Sequence, residues 1–323
     1  MTAASLSGCR VLVTGATGFV GAHLAARLVA VGAEVHATLR ESSDPWRLRA
    51  LGVLEAVNLA ICDLTEPDAV RRLLERVRPS HVLHLAAAVN VARDPELVPL
   101  VLANNVQGTY HLLASAIAVG ATCFVNTGSS EEYGDGRAPF RESDKVSPVS
   151  PYSWSKAAVT ELCATLHRTR RWPLVTVRPF LTYGPLQTND MLVPATIRHC
   201  LAGRPFPVTA GEQTRDLNYV EDIVEGYLLA ATVPAAIGGV FNLGSGQEYR
   251  VREVVAQIAG LLSRPDLPQY GALPYRTGEA MHFYCDNSLA RRVLGWQPHV
   301  DLAAGLERTA AWYRVHEQAS GTA

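Results

Sequence analysis

Short apolar runs alternate with stretches of helical spacing along the first half of the chain. β-Branched and apolar runs predict strands at residues 10–14, 33–40, 57–63, 81–86, 123–127 and 174–178. Apolar residues three or four apart predict helices at 23–30, 45–51, 67–77, 104–118 and around 152–156. Alternating strands and helices are typical of parallel sheets with right-handed crossovers. The pattern therefore predicts an α/β fold with a doubly wound parallel sheet.

The pattern changes from Pro179 onward, where prolines and glycines become frequent and helices are predicted at 192–201 and 221–231. Loop-rich segments suit a smaller mixed domain that lies across the carboxyl ends of the sheet, where ligands of open α/β sheets bind. We expect residues 1–178, with parts of 216–243, to form the sheet domain. Residues 179–323 would form mainly the C-terminal substrate-binding domain.

Composition narrows the class of partner. The 323 residues carry a formal net charge of −1, and 48% of them are apolar. Basic and acidic residues are interspersed, so neither nucleic acid nor an anionic membrane is expected as a partner. The chain shows no signal peptide and no apolar run of membrane-spanning length, which predicts a cytoplasmic protein.

Cysteine and histidine positions argue against a metal site. The six cysteines are scattered with no close pair, which is typical of reduced core thiols. His81 and His84 lie three apart in a predicted strand, so their rings should point to opposite faces. No metal is therefore expected.

Gly15, Gly18 and Gly21 follow the first predicted strand and enter the first predicted helix. A glycine turn at such a junction lets the backbone approach a pyrophosphate, while the helix N-terminus contributes unpaired N–H groups. The spacing indicates a Rossmann sheet that binds a dinucleotide.

The end of the second predicted strand bears on which dinucleotide binds. An acidic residue there would bind the ribose 2′-hydroxyl of NAD, but this strand ends at Arg40, with Ser42 and Ser43 following. A guanidinium and hydroxyls suit a 2′-phosphate. NADP(H) is therefore favoured, and NAD(H) stays open.

Tyr152 and Lys156 lie four residues apart, on one face of a predicted helix. A cation beside the phenol should lower its pKa toward the working pH, so that the tyrosine can exchange a proton. Ser129 follows a predicted strand, where its hydroxyl can hold a substrate oxygen. The three residues, with a dinucleotide, predict proton-coupled hydride transfer at a carbon–oxygen bond.

In its ordered motifs the chain resembles the extended short-chain dehydrogenase/reductases, and among them the NAD(P)-dependent nucleotide-sugar epimerases, dehydratases and reductases. The resemblance covers nearly the whole length. The motifs that carry it are Thr14-Gly-Ala-Thr-Gly-Phe-Val-Gly21, Cys62-Asp63-Leu64, Leu85-Ala-Ala-Ala88, Asn105-Val-Gln-Gly-Thr109, Tyr152 with Lys156, Arg178-Pro-Phe with Tyr183-Gly-Pro, Gln213-Thr-Arg-Asp-Leu-Asn-Tyr-Val-Glu-Asp222 and Leu294-Gly-Trp296.

The resemblance implies how these residues meet the cofactor. Asp63 and Leu64 would contact the adenine, Ala86 to Ala88 would flank the ribose and nicotinamide, and Lys156 would also bind the nicotinamide ribose. The expected cofactor-binding residues are Gly15, Thr17, Gly18, Phe19, Val20, Arg40, Asp63, Leu64, Leu85, Ala86, Ala87, Ala88, Thr127, Tyr152, Lys156 and Pro179.

The resemblance also implies a nucleotide-sugar substrate. Arg215 and Arg276 would hold its phosphates or ribose, and Val208 would line the base; a salt bridge from Arg215 to Asp216 or Asp222 is the alternative. The family often has Asn where this chain has Leu181, so Asn189 is a substitute candidate for the phosphate contact. The expected substrate-binding residues are Ser129, Ser130, Glu131, Asn189, Val208, Arg215 and Arg276.

Three reactions of the resembled family compete. Ser129-Ser130-Glu131 keeps 4,6-dehydration open, with Glu131 as a further candidate catalytic group, but Gly-Ser-Ser-Glu-Glu-Tyr-Gly is more similar to reductases of nucleotide-linked 4-keto-6-deoxyhexoses. We expect a 4-ketoreductase first, a 4-epimerase second and a 4,6-dehydratase third. A non-catalytic dinucleotide sensor is the non-enzyme alternative.

The resemblance further implies a homodimer that forms through the helix of Tyr152 and a neighbouring helix. Leu112, Leu113, Val159 and Leu162 would permit this contact, and a core role explains them equally well.

Overall fold

The computed structural model describes residues 6–319, and its centre is a seven-stranded parallel sheet. The strands are β1 (Arg10–Thr14), β2 (Glu34–Leu39), β3 (Val57–Ile61), β4 (His81–His84), β5 (Cys123–Thr127), β6 (Leu174–Pro179) and β11 (Val240–Leu243). Their spatial order is β11-β6-β5-β4-β1-β2-β3, and every neighbouring pair is parallel. The predicted doubly wound parallel sheet is confirmed.

Helices cover both faces of this sheet and bury its apolar side chains. They are α1 (Phe19–Ala30), α2 (Trp46–Ala50), α3 (Pro67–Val77), α4 (Val98–Val101), α5 (Gly108–Ala118), α6 (Pro151–Arg170) and α8 (Val220–Thr232). Two core clusters result: α1 and α8 pack on one face, and α3, α5 and α6 pack on the other.

The remaining strands are short, and the remaining strands and named helices lie in the C-terminal part of the chain. Two- and three-residue strands pair as β7 (Leu181–Tyr183) with β10 (Leu217–Tyr219), β8 (Phe206–Val208) with β13 (Pro268–Tyr270), and β9 (Thr214–Arg215) with β12 (Tyr249–Arg250). The helices here are α7 (Leu192–Leu201), α9 (Val251–Leu261), α10 (Ser288–Leu294) and α11 (Leu302–Ala319). A separate cluster buries α7, α9 and α11 together.

The helix predicted at 104–118 is longer and irregular. It begins as α4, continues through a π-helical turn at Leu102–Gln107 and becomes α5. The turn carries Asn105, which is 2% exposed and clamps Ala88 by accepting its N–H at 2.7 Å and donating to its carbonyl oxygen at 3.1 Å. π-Turns of this kind are frequent beside functional sites.

The two histidines of β4 make hydrogen bonds to hydroxyl groups. His84 bridges the hydroxyls of Thr14 and Thr109 at 2.7 Å each, and burial lowers its pKa to about 3. The ring is therefore neutral. Within residues 6–319, no group of three or more His, Cys, Asp or Glu side chains could hold a metal ion.

Three of the positions considered for a dimer contact are core residues. Leu112, Leu113 and Val159 are at most 2% exposed, because they pack between α5, α6 and the sheet. No helix in the described part of the chain is long and apolar enough to cross a membrane. The cytoplasmic location stays a prediction.

Candidate active site

The glycine turn between β1 and α1 leaves no room for side chains. Gly15 has a left-handed φ of 73°, and a Cβ there would lie 2.7 Å from the backbone nitrogen of Ala86. A Cβ at Gly21 would collide with the carbonyl oxygen of Gly15. Gly18 precedes α1 without a side-chain cap, so the first N–H groups of the helix are available to an anion. The turn fits the pyrophosphate of a dinucleotide.

A cleft of about 830 Å³ extends from this turn along the carboxyl ends of the central strands. It brings together most of the predicted cofactor and catalytic residues. Those that line it are Gly15, Thr17, Gly18, Phe19, Val20, Arg40, Asp63, Leu64, Leu85, Ala86, Ala87, Thr127, Ser129, Ser130, Glu131, Tyr152 and Pro179.

Arg40 and Asp63 lie at the end of the cleft formed by β2 and β3. Asp63 accepts hydrogen bonds from the N–H and hydroxyl of Thr65 at 2.9 and 2.8 Å. These bonds hold the pKa of Asp63 below its usual range, with a smaller contribution from the nearby Arg40 guanidinium. Arg40 is exposed, and its N–H donates to the hydroxyl of Ser43 at 3.3 Å. This end combines a fixed carboxylate with an exposed guanidinium.

Ser129, Tyr152 and Lys156 come together at the end of β5. Ser129 precedes a 3₁₀ turn at Ser130–Tyr133 and accepts the N–H of Glu131 at 3.1 Å. Tyr152 lies in the first turn of α6, is 9% exposed, and is near enough to Ser129 for that side chain to lower the pKa of the phenol. Lys156 is 5% exposed, behind the cleft wall, and donates to the Thr127 carbonyl oxygen at 2.9 Å. The predicted triad is assembled in the structure.

The protonation of the triad differs from the sequence prediction. Burial raises the pKa of Tyr152 to about 12, and the Ser129 side chain lowers it by a smaller amount. Burial also lowers the pKa of Lys156 to about 8. The ammonium bonds to the Thr127 carbonyl, with its nitrogen 5.9 Å from the centre of the phenol ring. The lowering of the Tyr152 pKa expected from Lys156 is therefore not found in this structure, because burial of the phenol raises its pKa instead.

Glu132 is a residue that the sequence reasoning missed. It is fully buried, accepts the Ser129 N–H at 2.8 Å and the Thr160 hydroxyl at 3.0 Å, and forms an ion pair with Arg178 at 2.8 Å. It thereby joins the Ser129 turn to α6 and β6. The available signal was Arg178 itself, because an arginine in an otherwise apolar strand needs a buried anion.

Glu131 faces a group of charges at the other end of the cleft. Burial raises the pKa of its carboxyl, and the nearby guanidinium of Arg215 opposes this, followed by those of Arg276 and Arg93. Arg215 forms an ion pair with Glu279, and its Nη1 donates to two backbone carbonyls at 2.7 and 2.8 Å. The alternative partners Asp216 and Asp222 are wrong, because both carboxylates instead accept backbone N–H groups.

Several predicted residues do not line the cleft. Val208 is 8% exposed and packs in an apolar cluster with Val255 and Leu267, so its side chain does not face the cleft. Asn189 is exposed, between the lining residues Thr188 and Asp190. The others that lie outside the lining are Ala88, Lys156, Arg215 and Arg276.

A comparison with protein families identifies the class of enzyme. The model of the NAD dependent epimerase/dehydratase family matches residues 11–244, which include the glycine turn, the triad and β11. The chain belongs to this family. The residues that line the cleft fit the dinucleotide that the name of this family implies. Membership of an enzyme family does not support the alternative of a non-catalytic dinucleotide sensor.

Relatives of this family enzyme act on nucleotide sugars. It is 34% identical to the UDP-glucose 4-epimerase of Mycolicibacterium smegmatis, over 96% of this chain and 100% of that protein. It is 30% identical to the dTDP-glucose 4,6-dehydratase of Haemophilus influenzae, over 96% and 99%.

Solved structures agree with this assignment. The UDP-glucose 4-epimerase of Thermotoga maritima, solved with UDP-glucose, superposes with a TM-score of 0.88 at 26% identity, over 95% of this chain and 99% of that one. The dTDP-glucose 4,6-dehydratase of Streptomyces venezuelae, solved with NAD, gives a TM-score of 0.85 at 27% identity, over 96% and 98%.

Proposed function

We propose that this family enzyme reduces C4 of a nucleotide-linked 4-keto-6-deoxyhexose with NADPH. The observation that carries the proposal is the exposed Arg40 at the β2 end of the cleft, with Ser43 beside it, because these residues suit a cofactor with a 2′-phosphate. All three candidate reactions, reduction, epimerisation and dehydration, use Tyr152 to exchange a proton with the sugar oxygen, but only reduction consumes the reduced dinucleotide.

Each catalytic side chain has a role in this reaction. The bound dinucleotide would supply hydride to C4. Tyr152 gives its proton to the C4 oxygen, so that the carbonyl becomes an alcohol. Ser129 accepts the N–H of Glu131 and keeps its own hydroxyl hydrogen for the substrate oxygen. Lys156 donates a hydrogen bond to the Thr127 carbonyl oxygen, which holds its ammonium group next to the cofactor cleft.

The preference for NADPH over NADH is supported by the far end of the cleft. Arg40 lines it and is exposed, and Ser43 is a second lining residue that could donate to a 2′-phosphate. A guanidinium matches a phosphate dianion in both charge and geometry.

The substrate's nucleotide diphosphate is proposed to bind beyond Glu131, in the part formed mainly by residues 179–323. Among the neighbouring cations, Arg215 and Arg276 lower the pKa of this carboxyl most, although neither lines the cleft. In a protein of net charge −1, such local guanidinium groups are needed to hold a diphosphate.

The stoichiometry of the cofactor tests the reaction. With a nucleotide-linked 4-keto-6-deoxyhexose, we expect one NADPH to be oxidised for each sugar reduced, followed by absorbance and by chromatography of the product. Arg40→Ala should remove the preference for NADPH over NADH without changing the product. Sugar turnover without net oxidation of NADPH would reject reduction.

Two further reactions are supported by the relatives. Epimerisation at C4 is the second candidate, because the 34% identical relative is a UDP-glucose 4-epimerase. Dehydration is the third candidate, because several relatives are dTDP-glucose 4,6-dehydratases. Glu131 would suit this reaction, since it is a partly buried carboxyl in the cleft whose pKa is raised by burial. Both recycle the dinucleotide, so the same stoichiometry separates them from reduction.

We also propose a homodimer that forms through α4, α5 and α6. Exposed apolar side chains occur on all three, and the α4 segment adjoins α6. They are Val98, Leu100, Tyr110 and Trp154, each 39–49% exposed. Such a patch on adjacent helices is typical of a contact between subunits.

Charge placed in this patch should disrupt the dimer. Leu100→Glu is expected to raise the dissociation constant about tenfold or more, because a carboxylate would be buried in an apolar contact. Sedimentation equilibrium measures this constant. Leu273→Glu is the matched control, because Leu273 is equally exposed, at 45% against 47%, but lies outside the patch. Equal effects of the two substitutions would contradict the proposal.

A further inference from the structure

The turn after β7 forms one wall of the cofactor cleft. Gln187 and Thr188 line the cleft. Gly184 lies between the start of α8 and the start of α1, where an added Cβ would be 2.7 Å from Val220 and 3.6 Å from the Phe19 ring. The glycine turn that fits the pyrophosphate immediately precedes Phe19. Residues 184–188 therefore lie beside the site expected for the cofactor's phosphates.

This wall has a strained backbone that other elements hold in place. Leu186 has a φ of 67°, a left-handed conformation that non-glycine residues rarely adopt, and its side chain is 1% exposed. Such conformations persist only where the surroundings fix them. Two bonds do so: the Leu186 carbonyl oxygen accepts Arg47 Nε at 2.9 Å, and the Gln187 carbonyl oxygen accepts the Tyr313 hydroxyl at 2.8 Å.

Arg47 also forms a hydrogen bond to the glycine turn at 15–21. Its Nη1 donates to the carbonyl oxygen of Thr17, inside the glycine turn, at 3.1 Å. The guanidinium lies 4.4 Å above the centre of the Trp46 ring, which fixes its plane. The Arg47 guanidinium therefore connects the turn at 15–21 to the turn at 184–188 through one hydrogen bond to each. Arg47 itself does not line the cleft.

We propose that Arg47 is a positioning residue that controls release of the dinucleotide. A pyrophosphate seated on the glycine turn can leave more readily when the 184–188 turn separates from it, and the two hydrogen bonds of Arg47 oppose this separation. The inference rests on dinucleotide binding in this cleft and not on which sugar reaction follows.

Two nitrogen atoms of one planar group are needed for this bridge. A lysine would keep the positive charge, but a single ammonium at the end of a flexible chain does not reproduce the fork that reaches both carbonyls. Arg47→Lys therefore distinguishes two explanations: the hydrogen bonds of Arg47 to both turns, which lysine loses, and the attraction of its positive charge for the phosphates, which lysine keeps. If attraction were the cause, lysine would restore wild-type behaviour.

Dissociation of the dinucleotide measures the effect directly, without any sugar. The full chain is loaded with NADPH or NADH, the cofactor is chased with an excess of its oxidised form, and the loss of reduced-nicotinamide fluorescence is followed. We expect Arg47→Met to raise the dissociation rate about ten- to a hundredfold, and Arg47→Lys to raise it nearly as much. Tyr313→Phe, which frees the turn from its other side, should raise it by a smaller factor.

Arg49→Met is the matched control, because Arg49 lies on the same short helix and its ion pair with Asp44 is long and exposed. It should leave the rate unchanged. An unchanged rate in Arg47→Met, a wild-type rate in Arg47→Lys or an equal effect of Arg49→Met would overturn the inference. Urea unfolding of each variant detects a general loss of stability, and a faster rate that merely follows that loss also overturns it.

Discussion

Replacing Tyr152 with phenylalanine is expected to lower kcat by about 10²–10⁴, the usual contribution of a positioned general acid. The substitution removes one oxygen atom from a side chain that is 9% exposed and already packed beside Ser129. Cofactor binding should change much less than kcat, because the glycine turn and Arg40 are untouched and only one oxygen atom of the cleft lining is lost. Steady-state kinetics with the nucleotide sugar, and titration with the dinucleotide, measure the two effects separately.

Tyr110→Phe is the control for this substitution. Tyr110 is 49% exposed on α5, so loss of its hydroxyl should leave kcat at the wild-type value. A Tyr152→Phe enzyme that kept half or more of the wild-type kcat would show that another group supplies the proton. Loss of thermal stability in parallel with activity would point to packing instead.

Replacing Glu132 with glutamine is expected to lower the free energy of unfolding by about 3–5 kcal/mol. Glutamine has the same size, but it leaves Arg178, which is 4% exposed, without a counter-ion. The Ser129 N–H and the Thr160 hydroxyl both donate to Oε1, which the amide oxygen of glutamine can replace, so the expected cost comes from the lost ion pair at Oε2. Urea denaturation measures the change, with m expected to stay constant.

An exposed ion pair provides the comparison. Glu225 pairs with Arg27 at 2.6 Å, but the two side chains are 37% and 42% exposed, so Glu225→Gln should cost less than about 1 kcal/mol. If Glu132→Gln does not fold, the double variant Glu132→Gln with Arg178→Met should recover part of the stability, because the unpaired charge is gone. Equal costs for Glu132→Gln and Glu225→Gln would contradict a buried charge pair.

Most of the large sheet could be predicted from the sequence because its strands are apolar and bounded by clear breaks. β1 and β5 have the predicted limits, and α3 and α7 do as well. Strands of two or three residues, such as β9 and β12, are too short to show any period, and their pairing depends on distant segments. The π-turn at Leu102–Gln107 was also missed, because one extra residue per turn barely disturbs apolar spacing.

The site could be predicted where its residues are close in sequence or stand at strand ends. Ser129, Tyr152 and Lys156 meet because β5 ends beside the start of α6. The pKa of Tyr152 could not be predicted, because four-residue spacing says nothing about how deeply the phenol is buried. Glu132 and Arg178 are 46 residues apart, and their pairing appears only when β5 and β6 are adjacent.

The seventh strand of the sheet comes from late in the chain. β11 pairs with β6, but β7, α7, β8, β9 and β10 lie between them in sequence. The large sheet is therefore not formed by one contiguous segment of the chain. A fragment that ended at Pro179 would leave the edge of β6 unpaired and would lack α8, which packs in the core. A chimera that keeps this sheet intact must therefore retain α8 and β11 together with β1–β6, although residues 180–219 separate them from β6 in the sequence.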